Sequence, residues 1–190
     1  MSCFWNRLVL AMLGCSLGFG LAWKKLQIHF LLWLAAITGL IAYHAGMRIL
    51  VSNTWNSVLH NHADYRRAWF HVRPEEYHLY QKLQVRRWKN KMPTHDPESF
   101  NVKTHTWDEI AQTTCQSELV HETNFALSLV PVFFVPAGGV RWFTAAAGVT
   151  GMLADSIFII MQRFNRGRIV KMIDREKRAS RKNLKASQQV

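Results

Sequence analysis

Long stretches without charge dominate this sequence. Residues 8–23 (LVLAMLGCSLGFGLAW) carry none, and after Lys24 and Lys25 a second uncharged stretch covers 26–47. A third runs from 123 to 140, and a fourth, 142–162, is interrupted only by Asp155. A bilayer core of about 30 Å needs roughly 20 apolar helical residues, with about 17 as a lower limit. The second and fourth stretches meet that length, and the first and third are borderline. Between the third and fourth, AGGVR at 137–141 reads as a tight turn with one charge at its tip. These features predict a mainly α, integral membrane helical bundle of about four hydrophobic segments in two hairpins. The expected parts are an N-terminal hydrophobic hairpin (1–50), a basic interfacial region (51–122), a second hydrophobic hairpin (123–162) and a basic tail (163–190).

Leu10–Cys15 faintly resembles a lipoprotein cleavage site. Its apolar run continues past the supposed cut and another comes after it, which is unlike a signal peptide and its polar mature sequence. Three cysteines without zinc spacing exclude a disulfide scaffold and a zinc finger.

The charges that remain are mostly positive. Against 12 Asp and Glu stand 24 Lys and Arg, a formal net charge of +12. Nine of the cations fall in 51–122 and ten after Gln162. The positive-inside rule explains both groups by placing the middle region and the tail in the cytoplasm. Several membrane crossings are expected. Lys24 and Lys25 then lie at an external turn, a mild violation that a re-entrant first hairpin would remove. Nucleic acid is not an expected partner, because topology and anionic lipids account for the cations and no helix-turn-helix, zinc or RNP signature is present.

The middle region is polar yet rich in aromatic residues. Residues 53–72 have the composition of an amphipathic helix in the headgroup layer, and Pro74, Pro93 and Pro97 break the next stretch into short elements. From Ala179 onward a mobile basic tail is expected.

Two cationic clusters are too dense for orientation alone. VRRWKNKMP at 85–93 sets Arg86, Arg87, Lys89 and Lys91 around Trp88. Such a cluster can grip phosphates, or else anchor the chain to an anionic surface. QRFNRGR at 162–168 closes the fourth segment. Helical spacing puts Asp155, Gln162 and Arg166 in one stripe, with Asp155 about 10 Å deeper than Gln162. An ionisable group at such depth is a site candidate, the plainer reading being an ion pair that locks helices together. Arg163, Arg166 and Arg168 could equally be snorkelling anchors.

The candidate chemistry lies in CQSELVHETN at 115–124, where Glu118 and His121 share a helix face. A carboxylate that accepts one imidazole N–H fixes the tautomer and raises the basicity of the other nitrogen, as a general base requires. A solvated helix end would look the same in sequence. No HExxH, HxxxxD, GxSxG or P-loop pattern is present, and the clustered histidines of the middle region lack ligand spacing, so no metal site is expected.

The order RRWKNKMP, then SELVH before an apolar hairpin, then a long apolar segment ending in QRFNRGRI, resembles the glycosyl-4,4'-diaponeurosporenoate acyltransferase family over roughly residues 30–170. The resemblance implies transfer of a fatty acyl group to a sugar hydroxyl of a polyisoprenoid-type glycolipid. The shared residues are Arg87, Trp88, Lys89, Lys91, Pro93, Glu118, His121, Gln162, Arg163, Asn165, Arg166 and Arg168. Two departures stand out: Asp155 and Ile157 replace an Asn-x-Pro, and Glu122 replaces a Trp after the histidine. Both lie close to the presumed site, so the acceptor need not be a carotenoid glycoside.

Together these readings predict a membrane acyltransferase with His121, oriented by Glu118, as general base. Arg87, Trp88, Lys89, Lys91, Asp155, Gln162, Arg163, Asn165, Arg166 and Arg168 would form the substrate and donor site. The partners expected are membrane lipids, an acyl thioester (acyl-CoA or acyl carrier protein) and a lipid-linked acceptor, with no other cofactor. The alternatives are a non-enzymatic membrane module that binds a glycolipid or stabilises a complex, and a metal-dependent lipid hydrolase or transferase.

Overall fold

A computed structural model describes residues 2–92 and 97–187. Among the described residues the chain is predominantly helical and has no strand. The same residues form six α-helices: α1 (Ser2–Leu26), α2 (His29–Leu59), α3 (Pro74–Lys82), α4 (Val85–Trp88), α5 (Trp107–Leu127) and α6 (Gly139–Ser187). Three helical spans, Phe4–Leu26, His29–Leu59 and Gly139–Arg181, are long and apolar enough to cross a membrane. The protein is therefore a helical membrane bundle. Pro93 and His95 lie outside the described residues, as does the end of the tail at 188–190.

Two compact units divide the chain, each built from two separate stretches. The first comprises Met1–Thr54 and Val120–Ser156, the second Trp55–Leu119 and Ile157–Val190.

In the first unit, α1 and α2 form the expected hairpin. Gln27 takes a left-handed conformation (φ 55°), and its side-chain amide donates to the Lys24 carbonyl at 2.9 Å, which satisfies one of the carbonyls that end α1. Ser16 Oγ donates to the Ala35 carbonyl at 2.8 Å across the pair. The start of α6 runs parallel to α2, as three contacts at a near-constant sequence offset show. Trp33 meets Phe143 edge-to-face with ring centroids 5.6 Å apart, His44 abuts Gly151, and Arg48 bonds Asp155.

The third hydrophobic segment is not one continuous helix. α5 stops at Leu127, a 3₁₀ turn covers Val130–Phe134, and Gly138 (φ 117°) leads into α6. Pro131 and Pro136 explain the break, because a proline donates no backbone N–H and disfavours helix in the residue before it. Irregular backbone at membrane depth is tolerated where protein satisfies it. Here Tyr43 Oη donates to the Leu127 carbonyl at 2.9 Å and Ser128 Oγ to the Asn124 carbonyl at 2.8 Å. A Cβ at Gly148 would stand 2.7 Å from the Ser128 carbonyl oxygen. Only glycine permits this approach of α6 to the broken segment, the small-residue packing expected of membrane helices. Gly148→Val should therefore cost about 1–3 kcal/mol, read as a lower melting temperature of the detergent-solubilised protein.

The second unit has its own core of Ala63, Tyr65, Phe70, Ile110, Ala111, Cys115, Ile169 and Ile173. The expected amphipathic helix over 53–72 does not form. α2 continues to Leu59, and His60 and Asn61 then adopt left-handed backbone (φ 47° and 60°) that ends it. After α2 the chain forms loop and one short 3₁₀ turn, Ala68–Phe70, before Pro74 opens α3. The tail from Ala179 is helical through Ser187 as the end of α6. Its Arg, Lys and Ala content favours helix, which overrides the expectation of a mobile tail.

Candidate active site

Each unit carries one cluster of buried charge. In the first unit the cluster centres on Asp155, which is fully buried. Arg48 reaches it with both terminal nitrogens, Nη1 to Oδ1 at 2.8 Å and Nη2 to Oδ2 at 2.9 Å. His121 Nδ1 lies 2.8 Å from the same Oδ1. An ionised carboxylate only accepts, so the geometry assigns the proton to Nδ1 and the basic lone pair to Nε2. Three elements supply the three side chains: Arg48 from α2, His121 from α5 and Asp155 from α6. Such an Asp–His pair, with the aspartate fixed by a bidentate guanidinium, can orient an imidazole for proton transfer.

The expected orientation of His121 by Glu118 is corrected here: the carboxylate on Nδ1 is Asp155. Glu118 belongs to the cluster of the second unit, where it is fully buried. Arg163 Nη1 donates to its Oε1 at 2.5 Å, and Arg166 Nη1 pairs with its Oε2. Two guanidinium groups bind a buried carboxylate more strongly than an imidazole one helical turn away.

Arg163 is fully engaged. Its Nε donates to Glu76 Oε2 at 2.8 Å, and its Nη2 donates to Glu76 Oε1 at 2.8 Å and to the His71 carbonyl at 3.0 Å. Its Nη1 also reaches the Trp69 carbonyl at 3.2 Å, so all five donors are in use. The residue clamps the loop after α2 to α6 and has no donor left for a phosphate. Burial would raise the Glu76 carboxyl, but Arg163, the Tyr80 hydroxyl and the Arg73 backbone N–H hold it down at about 2. A carboxylate depressed in the folded state stabilises the protein fully above its ordinary value near 4.5, and that contribution is lost as pH falls toward 2. Glu76→Gln is expected to flatten the acid limb of a stability-against-pH curve in this window.

The two basic motifs of the sequence meet inside this unit. Lys89 Nζ donates to Asn165 Oδ1 at 2.7 Å and lies 5.6 Å from the Phe164 ring centroid, while Arg168 covers the same ring at 5.9 Å. Burial, and then the positive Arg168 and Arg86, push the Lys89 ammonium below its usual range. Arg87 Nη1 donates to Gln84 Oε1 at 2.8 Å, Trp88 Nε1 to the Leu83 carbonyl at 2.9 Å, and Gln162 Nε2 to Ser117 Oγ at 3.0 Å. Lys91 is exposed. Arg87 also lines a groove of about 380 Å³ with Arg86, Tyr77, Tyr80 and Phe164. Burial pushes the Cys115 thiol up to about 12, which removes it as a nucleophile at neutral pH. Among the described residues no group of three or more His, Cys, Asp and Glu could hold a metal ion.

Arg48 and Glu76 were not legible as site residues in the sequence. Arg48 ends the second uncharged stretch, and a charge inside a helix that continues to Leu59 was the one available signal.

An all-helical membrane protein with buried Asp–His and Glu–Arg clusters is the class these observations define. A family model described as CrtO, glycosyl-4,4'-diaponeurosporenoate acyltransferase, matches residues 61–175. The chain belongs to that family, which is one of acyltransferases. No curated protein and no solved structure gives a match.

Proposed function

We propose that this protein is a membrane acyltransferase that moves a fatty acyl group from a thioester donor, acyl-CoA or an acyl carrier protein, to a hydroxyl of a glycolipid or other lipid-linked acceptor. His121 is the general base and Asp155 its positioning residue. The observation that carries this reading is the 2.8 Å contact between His121 Nδ1 and a buried Asp155, in a chain of an acyltransferase family. Nε2 takes the proton of the acceptor hydroxyl as its oxygen attacks the thioester carbonyl carbon. The carbon–sulfur bond then breaks, and the same proton passes to the departing thiolate. Direct transfer needs no protein nucleophile, in keeping with the inert Cys115. Lys89, Lys91, Arg87 and Arg168 serve the donor or the acceptor headgroup, with Trp88 at the interface, whereas Arg163 acts as a structural clamp. Arg166, Gln162 and Asn165 line or brace that same region of the second unit.

Positive-inside logic orients the protein in a bacterial cytoplasmic membrane with the basic region 51–122 and the tail 163–190 on the cytoplasmic side, where a soluble donor is available. Because of the departures at Asp155, Ile157 and Glu122, the acceptor proposed is a glycolipid or other lipid-linked hydroxyl in general, not a carotenoid glycoside in particular. The test is lipid mass spectrometry of membranes with and without the gene. A glycolipid that gains the mass of one fatty acyl chain supports the reading, and no such difference refutes it.

One observation favours a second reading. The bidentate Arg48–Asp155 pair also joins α2 to α6, as a module that only stabilises a membrane assembly would require. On that reading His121→Gln leaves the lipid profile unchanged.

A further inference from the structure

A second groove in the second unit, of about 540 Å³, shares Tyr77 with the one that Arg87 lines. Its wall includes Tyr65, Arg66, Tyr77, Arg166, Lys171 and Lys177, with Asp174 as the one acid among them. Arg66 lies 5.6 Å from the Tyr65 ring centroid and Lys171 4.2 Å from that of Tyr77, so two cations are held over aromatic faces at the groove. Among the described residues neither Arg66 nor Lys171 forms an ion pair with a carboxylate, whereas Lys177 has Asp108 at 3.6 Å. Arg166 is only 1% exposed. Its Nε donates to the Phe70 carbonyl at 3.0 Å, its Nη1 pairs with Glu118 and the guanidinium also meets the Cys115 sulfur, but its Nη2 has no oxygen acceptor. A buried guanidinium nitrogen without an acceptor is costly unless a ligand supplies one. Gly167 also lines the groove and lets Tyr77 and Val72 pack closely, since a Cβ there would stand 3.0 Å from Tyr77 Oη and 3.3 Å from Val72 Cγ2.

We propose that this groove is a phosphate-ester site, with Arg66 and Lys171 as the exposed cations and Arg166 as the buried one. Two or more cations around one cavity, one of them a guanidinium with a spare donor, suit an oxyanion that accepts several charge-assisted hydrogen bonds. The tyrosine faces can cover a flat group attached to the phosphate. The proposal deepens the acyl-transfer reading and rests on it for the natural ligand. That ligand is either the nucleotide end of a soluble thioester or the phosphate of an acidic phospholipid, which share this chemistry.

The full chain, reconstituted in nanodiscs of phosphatidylcholine, is titrated with adenosine 3',5'-bisphosphate by calorimetry. Arg66→Gln and Lys171→Gln, both at exposed positions, are each expected to weaken binding about tenfold, and added salt should weaken it further. If the nucleotide does not bind but phosphatidylglycerol from mixed nanodiscs remains on the protein in native mass spectrometry, and is lost from both variants, the site is a phosphate site filled by lipid. Absence of both ligands, or binding that both variants leave unchanged, overturns the proposal. Binding is read without turnover, so the two readings fail separately. A protein that binds phosphate but transfers no acyl group refutes only the acyltransferase, and one that transfers an acyl group but binds neither ligand refutes only the groove.

Discussion

His121→Gln is expected to lower acyl transfer by about 10²–10⁴-fold, the range that general base catalysis supplies, or about 3–5 kcal/mol of barrier. Glutamine keeps a polar side chain of similar reach but cannot take a proton, so membrane insertion and the affinity for donor and acceptor should hold. The loss should fall on kcat and leave KM nearly unchanged, because the proton moves only in the transition state. Asp155→Asn should show the same split. An amide in place of the carboxylate no longer demands the proton on Nδ1, and Nε2 loses its assignment as the basic nitrogen. Acyl transfer by purified His121→Gln at the wild-type rate would remove His121 as the base. A rise in KM with kcat unchanged would make it a binding residue.

Much of this architecture was readable from charge spacing, because a bilayer imposes length and composition rules that a soluble core does not. α1, α2 and the first half of α6 arise directly from three of the uncharged stretches. The third stretch shows the limit of that signal. Hydropathy registers 123–140 as one span, yet Pro131 and Pro136 end the helix, and its carbonyls are satisfied by Tyr43 and Ser128, residues whose role depends on packing. The same holds for the site. Asp155 stood out as an ionisable group deep in an apolar run, and the grouping of RRWKNK with QRFNR was visible as motif density. Which carboxylate meets which cation was not. Helical spacing makes Glu118 and His121 neighbours, but spacing carries no information about the side chains that other helices bring. Arg163 and Arg166 take Glu118, and Asp155 takes His121. The loop after α2 was illegible for a related reason, since it is held by Arg163 reaching the carbonyls of Trp69 and His71.

Glu118 provides the second large effect, on folding instead of chemistry. Its carboxylate is fully buried and neutralises two guanidinium groups, Arg163 and Arg166. Removing one member of a buried ion cluster leaves the others uncompensated and typically costs about 3–5 kcal/mol. Glu118→Gln preserves the volume and an acceptor oxygen but withdraws the charge, so it isolates the electrostatic part of that cost. Glu76 offers an internal control, because it binds the same Arg163 with a side chain that is 21% exposed against 0% for Glu118. Solvent screens the charge left by Glu76→Gln, and the loss there should be smaller. Thermal unfolding in detergent is therefore expected to rank Glu118→Gln well below Glu76→Gln, with wild type highest. Equal melting temperatures for the two variants would mean that the clamp on α6 does not depend on the buried charge. The same variant separates the two carboxylates by role. Per folded molecule, Glu118→Gln should keep its kcat while Asp155→Asn loses it, since Asp155 holds the imidazole and Glu118 holds the arginines.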